Sequence, residues 1–134
     1  SCDPVLPSGS FAYVTLRSTN QDGCTGEENS LTVVDISNIH DPDDVMIIPM
    51  NSPYGMCIQN NNLFVGEGTN GISIFNITTP SAPVVEMSFP YEIYDVMPHP
   101  NAADRILTAG PEGLSQYEVD YTAKTMTLLS AIAF

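Results

Sequence analysis

The chain has 134 residues, 43% of them apolar, and its three basic residues against 16 acidic ones give a net charge of -13. This charge disfavours binding to nucleic acids and to anionic lipid surfaces, because both carry dense negative charge. No apolar run is long enough to cross a bilayer, and the length indicates one domain with a substantial core.

Short strands separated by turn residues run through the whole chain. Eleven prolines and nine glycines punctuate it, and strong helix formers do not cluster, so we expect an all-β fold with essentially no helix. In the first third the predicted strands are CDPVLP from Cys2, AYV at 12–14, SLTVVDIS from Ser30 and VMIIPM from Val45. This is a set of four strands.

The same four-strand order occurs twice more. The second set is YGMCIQ from Tyr54, LFV at 63–65, GISIFNIT from Gly71 and VVEMSF from Val84. The third set is YDVMPH from Tyr94, RIL at 105–107, GLSQYEVD from Gly113 and MTLLSA from Met126. Glycines in GTNG at 68–71 and GPEG at 110–113 favour tight hairpins between the second and third strands of these two sets.

The third strands are spaced like the blades of a β-propeller. Ser30 precedes Gly71 by 41 residues and Gly71 precedes Gly113 by 42, which is the length of one four-stranded blade. We therefore predict three antiparallel blades at about 1–51, 52–90 and 91–134, with an antiparallel sandwich as the alternative. Propellers need about four to eight blades. The missing blades would come from a longer gene product, from a separate chain or from a second copy in a six-bladed homodimer.

The three cysteines have different predicted roles. Cys24 lies in the polar insertion STNQDGCTGEEN from Ser18, and a disulfide from Cys2 to Cys24 would anchor that insertion. Closing a loop of this size contributes about 3 kcal/mol and requires an oxidising compartment. The alternative for Cys2 is lipid attachment, although Ser1 precedes it. Cys57, between apolar neighbours, is predicted to be a buried structural thiol.

Metal sites have little support in the sequence. His40 and His99 fall in turns and their spacing makes no metal motif. Asp41, Asp43 and Asp44 form an acidic turn that is a weak calcium candidate, because it lacks the glycine and the distal acid of an EF-hand loop. We expect a solvated turn there and predict no cofactor.

A small group of aromatic and acidic residues is the best candidate ligand site. Tyr91, Glu92, Tyr94 and Asp95 lead into a predicted innermost strand, and such side chains together can bind sugars, although they equally well close the end of a blade. No GxSxG motif is present, and no serine or cysteine has an evident histidine partner, so no catalytic residue is assigned.

The repeated ending of the third strand resembles that of LVIVD-repeat proteins, which are bacterial β-propellers often found as cell-surface lipoproteins. The resemblance rests on VVDIS, IFNIT and, more loosely, QYEVD, where Glu118 stands at the position of Asp35. It spans nearly the whole chain, which resembles the carboxy-terminal, three-blade part of such proteins. It implies export to the cell envelope, cell surface or periplasm, with any lipid anchor outside this segment, and it carries over no catalytic residues.

The sequence favours two functions. The first is an exported, noncatalytic propeller that acts as a scaffold or protein-interaction module of a bacterial envelope assembly, with a protein partner or the missing blades against it. The second is a propeller that binds or hydrolyses a carbohydrate or another small ligand at a site completed by further blades, with Tyr91, Glu92, Tyr94 and Asp95 contributing.

Overall fold

The computed structural model describes residues 4–18 and 28–134, and these form twelve β-strands and no helix. The bounds are β1 Val5–Ser8, β2 Phe11–Leu16, β3 Ser30–Asp35, β4 Asp43–Pro49, β5 Met56–Gln59, β6 Asn62–Gly66, β7 Ile72–Asn76, β8 Val84–Phe89, β9 Asp95–Pro98, β10 Arg105–Gly110, β11 Gly113–Asp120 and β12 Thr125–Ala133. In this part of the chain no helix could cross a membrane.

The strands form three four-stranded antiparallel sheets, each built from consecutive strands. We call β1–β4 the first sheet, β5–β8 the second and β9–β12 the third. Within each sheet every strand pairs with its neighbours in the chain, so the sheets are simple meanders. The predicted all-β fold of three four-stranded propeller blades is confirmed.

A β-bulge at the same place in every sheet shows that the repeat is structural. The register between the third and fourth strands shifts between Val33 and Val34, between Ile74 and Phe75, and between Gln116 and Tyr117. A bulge bends its strand and increases the local twist. The three sheets therefore share the same irregularity at the same place, as copies of one structural unit do.

The turns explain why glycine recurs before two of the third strands. Gly71 and Gly113 have φ angles of 107° and 135°, and a Cβ at either position would overlap a backbone carbonyl oxygen of the fourth strand. Asn60 and Asn61, with φ of 50° and 58°, supply the left-handed conformation for the β5–β6 hairpin without glycine.

Two apolar cores separate the three sheets. Side chains of the first and second sheets form one core, whose buried members are Tyr13, Leu31, Val33, Met56, Leu63, Val65, Phe75 and Ile77. Side chains of the second and third sheets form the other, whose buried members are Cys57, Phe64, Ile72, Ile74, Met87, Ile93, Val96, Ile106, Tyr117, Val119 and Met126. The second sheet is thus covered on both faces, as a stacked blade is and a sheet of a two-layer sandwich is not.

The two cores show that the sheets stack in one direction. We call the face that packs on the next sheet the forward face, and the face that packs on the preceding sheet the backward face. In the second sheet the forward face contains Phe64 and Ile74, which are a cross-strand pair, and the backward face contains Leu63 and Phe75, which are the next pair. These two pairs are neighbours along the strands, and they lie on opposite faces because successive side chains of a strand point to opposite sides.

Buried polar contacts join neighbouring sheets. The Tyr13 hydroxyl of the first sheet donates to the Pro80 carbonyl beyond β7, at 2.9 Å. Gln59 of the second sheet donates to the Arg105 carbonyl at 2.8 Å and accepts from the Tyr121 hydroxyl at 3.0 Å. These bonds fix the order and the lateral position of the sheets, which apolar packing alone leaves loose.

Candidate functional site

A cluster of aromatic and charged side chains lies where the first strands of the second and third sheets begin. Tyr54 precedes β5 and Tyr94 precedes β9, and their rings meet edge to face with centroids 4.9 Å apart. Arg17, which directly follows β2, places its guanidinium carbon 3.8 Å from the centroid of the Tyr54 ring. Such a cation-π contact contributes about 0.5–1 kcal/mol near a surface. We call Arg17, Tyr54, Glu92 and Tyr94 the tyrosine cluster.

A glycine makes room for the two rings. Gly68 has a φ of 58°, and a Cβ there would lie 2.9 Å from a Tyr94 ring carbon and 3.0 Å from one of Tyr54. Its amide donates to the Ile93 carbonyl at 2.9 Å, which ties the β6–β7 turn to the segment that carries Tyr94. The backbone of the β6–β7 turn, and not a side chain, therefore packs against the two tyrosine rings.

Glu92 supplies the exposed negative charge of the cluster. The Tyr94 hydroxyl donates to Glu92 Oε1 at 2.7 Å. The pKa of Tyr94 is raised, first by this bond to the carboxylate and to a smaller extent by burial and by the charges of Glu92 and Tyr54. The tyrosine thus keeps its proton and holds the Glu92 carboxylate in one position.

The four residues that the sequence proposes for a ligand site do not converge. Tyr91 turns away from Tyr94: its ring stacks on those of Phe89 and Tyr117, with centroids 6.0 and 5.2 Å away, and its hydroxyl donates to the Met126 carbonyl. Tyr91 therefore belongs to the packing between the second and third sheets. Glu92 and Tyr94 lie together at the surface.

Asp95, the fourth of these residues, lies at the start of β9 against the second sheet. Its Oδ1 accepts the Val96 amide at 2.9 Å, and it lies so close to Gly55 that a Cβ on that glycine would overlap its carboxylate. Its charge also contributes to the raised pKa of Cys57. The Asp95 side chain thus contacts Val96 and Gly55, and neither contact joins it to the tyrosine cluster.

A buried carboxylate near the cluster was not singled out from the sequence. Glu67 is only 4% exposed, and its Oε2 accepts the Ser73 hydroxyl at 2.6 Å while its Oε1 accepts the Asn51 amide at 3.0 Å. The two bonds connect the start of the second sheet to its central hairpin. The signal in the sequence was a single acid between two glycines, and this pattern does not distinguish a buried residue from a surface turn.

The remaining predicted site residues are placed as follows. In residues 4–18 and 28–134 no three His, Cys, Asp or Glu side chains come together as a metal site. Asp43 and Asp44 are the first residues of β4, and Asp41 precedes them in an exposed turn. His40 lies in a turn, and His99 directly follows β9, where the Asn101 amide donates to its Nδ1 at 3.2 Å. Cys2 and Cys24 lie outside the described residues.

Cys57 is an inert group of the core, as the sequence predicts. It is 5% exposed and faces the third sheet. Burial, and to a smaller extent the charge of Asp95, raises the pKa of its thiol to about 12. A thiol with so high a pKa is neither a nucleophile nor a metal ligand at neutral pH.

The repeated Asp or Asn at the end of the third strand closes a turn. Asp35 Oδ1 accepts the Ser37 amide and Asn76 Oδ1 accepts the Thr78 amide, each at 2.8 Å. In the third sheet, where Glu118 stands at this position, β11 runs two residues further and Asp120 accepts the Thr122 amide at 2.9 Å. An oxygen two residues before an amide is the Asx-turn arrangement. The repeated residue is therefore structural.

The forward face of the third sheet carries an exposed apolar surface. Here side chains of β9–β12 line a groove of about 350 Å³, which is formed by Asp95, Val96, Met97, Leu107, Thr108, Ala109, Leu114, Ser115, Gln116, Ser130, Ala131 and Ile132. Ile132 is 70% exposed, Met97 55% and Leu114 46%. An apolar surface of this kind, framed by polar residues, is typical of a binding surface.

Comparison with known proteins supports the repeat. Residues 24–45 match the family described as the LVIVD repeat, a range that covers β3 and the start of β4. No curated protein matches the chain at a significant level. A chain that carries an LVIVD repeat within propeller-like sheets fits a repeat scaffold.

Proposed function

Given an LVIVD repeat set in three stacked four-stranded sheets, we propose that the chain is a noncatalytic scaffold or protein-interaction module of an exported bacterial envelope assembly. The forward face of the third sheet is the observation that carries this proposal. Its large side chains are of the kind that the same face of the second sheet buries, yet they are exposed. When another protein covers such a surface, the free energy falls by roughly 25 cal/mol for each Å² of apolar area removed from water.

Photo-crosslinking at the forward face tests the interaction role. Benzoylphenylalanine replaces Leu114 in the native protein, and the control replaces Val84, which is 63% exposed on β8 of the second sheet. We expect a protein crosslink from position 114 and none from position 84. A chain that forms no crosslink from position 114 in its native cells would contradict an interaction role for this face.

Export is the second part of the proposal. It is supported by the predicted bond between Cys2 and Cys24, which requires an oxidising compartment, and by the resemblance described above. Membrane attachment would occur through a lipid anchor outside this segment. Fractionation of the source cells tests export: recovery of the protein from the cytosol with all three thiols free would contradict it.

Binding of a carbohydrate or another small polar ligand is a second candidate, favoured by the Glu92–Tyr94 pair. The pair offers an exposed carboxylate held by an aromatic residue. The guanidinium of Arg17 already lies on the Tyr54 ring, so a ligand that stacks on this pair would use the Tyr94 ring. A screen against an array of soluble oligosaccharides tests this role. We expect Glu92→Gln to abolish a hit without lowering the melting temperature, and an array without hits would reject the role.

A further inference from the structure

The sheets join through one repeated kind of interface, which can be compared position by position. Gly71 and Gly113 mark equivalent places at the start of β7 and β11, and the strand registers extend the equivalence across each sheet. On the forward faces, Leu107 then corresponds to Phe64, Leu114 to Ile72, and Ile132 to Phe89. The second sheet buries Phe64 and Ile72 against the third sheet, whereas the third sheet leaves Leu114 and Ile132 exposed.

A polar cross-strand pair is one difference between the third forward face and the second. Gln116 corresponds to Ile74 and Ser130 to Met87, and these two residues are cross-strand partners. They lie among apolar neighbours on the same face, where Leu107 is half-buried and Met97 largely exposed. The face therefore keeps much of the apolar character of the forward interface, and it also carries this polar pair and, at its edge, the exposed carboxylate of Asp95.

The first sheet presents the complementary kind of surface on its backward face. Val34 corresponds there to Phe75 and Val14 to Val65, both of which the second sheet packs on the first. Val14 and Val34 are half-buried, while Val5 and Ile47, on the outer strands of the same face, are 60% and 54% exposed. Ala12 and Thr32 lie between them and are buried. The exposed aliphatic area of this face therefore lies on its outer strands, at Val5 and Ile47, on either side of a buried middle.

We propose that the forward face of the third sheet binds the backward face of the first sheet of a second copy of this chain. The proposal rests on the interaction role proposed above and names the partner. Because one chain carries both faces, two copies placed head to tail bury both pairs around a twofold axis, which gives a closed dimer. The contact would continue the stacking that joins the first sheet to the second and the second to the third.

Light scattering on a sizing column tests the dimer with the full chain. We expect a particle of twice the 14.5 kDa chain mass that dissociates on dilution. Leu114→Asp on the forward face and Ile47→Asp on the backward face should each shift the particle towards the mass of one chain, because each buries a charge in both interfaces. Val84→Asp, on an exposed position of the second sheet, is the matched control and should leave the dimer intact. Met97→Asp replaces Leu114→Asp if that variant does not fold.

Mixing the two variants distinguishes head-to-tail pairing from other arrangements. A Leu114→Asp copy keeps its backward face and an Ile47→Asp copy keeps its forward face, so the mixture regains one intact interface and should regain dimers. If the dimer instead paired two forward faces, Ile47→Asp alone would remain dimeric, which would overturn the proposal. A monomeric wild-type chain would overturn it too. A crosslink from position 114 to another polypeptide would overturn the second copy as partner while leaving the interaction role standing.

Discussion

Gln59 and Tyr121 are 62 residues apart in the chain, and the hydrogen bond between their side chains joins the second sheet to the third. Gln59 is 8% exposed and also donates to the Ala102 and Arg105 carbonyls, so one amide group serves three partners. We call this group the glutamine latch. It ties the third sheet to the second where β5 ends and β6 begins. The tyrosine cluster lies at the opposite end of β5.

Gln59→Leu should lower the free energy of unfolding by about 1–3 kcal/mol, because the Tyr121 hydroxyl loses its acceptor in a partly buried place. Tyr121→Phe removes one bond and leaves the other two, and should cost about 1 kcal/mol. Urea denaturation of both variants measures the difference. Equal stability of Gln59→Leu and the wild type would show that the latch does not hold the sheets together.

Gly71→Ala should destabilise the protein more than Gly9→Ala does. Both glycines have positive φ angles, 107° and 61°, but Gly9 has no neighbour within 4 Å of an added Cβ, whereas at Gly71 the Cβ would overlap the Phe89 carbonyl. Gly9→Ala should cost about 1–2 kcal/mol for the backbone conformation alone. Steric overlap should add about 1–3 kcal/mol at Gly71. Thermal unfolding compares the two, and equal losses would mean that the β7–β8 pair moves apart freely.

Cys57 should make the protein less stable as the pH rises above about 9. The folded-state pKa of the thiol is about 12 and its ordinary value is 9.0. Between these two values the unfolded chain loses the proton while the folded chain keeps it, so the stability falls with rising pH, by up to about 1.4 kcal/mol for each pH unit. Below pH 9 both states hold the proton and this contribution is constant.

The Cys57→Ala variant isolates that effect. Several tyrosines with raised pKa values also titrate in alkali, and they are present in both proteins. We expect the variant to show a shallower loss of stability between pH 9 and 10 than the wild type, whatever its stability at neutral pH. Parallel pH profiles for the two proteins would argue that Cys57 is not shielded from solvent.

The count of free thiols tests the predicted pairing of Cys2 with Cys24. The chain has three cysteines, and Cys57 is buried. A thiol reagent should find no reactive group in the folded protein and one in the unfolded, unreduced protein. Three thiols after unfolding would reject the disulfide.

Glu92→Gln should lower the pKa of Tyr94, since the bond to the carboxylate is the first cause of its elevation. NMR titration of the tyrosine ring carbons measures this pKa, with Tyr94→Phe used to assign the signal. Because both groups are at the surface, we expect no change in the melting temperature. An unchanged pKa would mean that the tyrosine cluster does not form in solution.

The repeat could be read from the sequence because it depends on local rules. Alternation of apolar residues defines the strands, and the spacing of Gly71 and Gly113 follows from the turn conformation that each must adopt. The bulge in each sheet left no visible mark, since it follows from how two strands pair and not from either strand alone.

The tyrosine cluster could not be read in the same way. Arg17 and Tyr54 come from different repeats, and their contact depends on how the first sheet lies on the second. Tyr91 and Tyr94 look alike in the sequence, yet the short segment between them sends one ring into the core and the other to the surface. Gln59, followed by three asparagines, resembled an ordinary polar turn, and only the position of the third sheet makes it a buried connection.

The second sheet, covered on both sides, also sets the order in which the molecule opens. Its inner strands β6 and β7 consist almost entirely of buried residues, so their amides exchange with solvent only after a neighbouring sheet has separated. In the outer strand β12 every residue after Met126 is exposed, so the end of this strand can fray while Met126 stays in the core. Hydrogen exchange should therefore be slowest in the middle of the chain and fastest towards its last strand, a gradient characteristic of modules whose cooperativity passes from neighbour to neighbour.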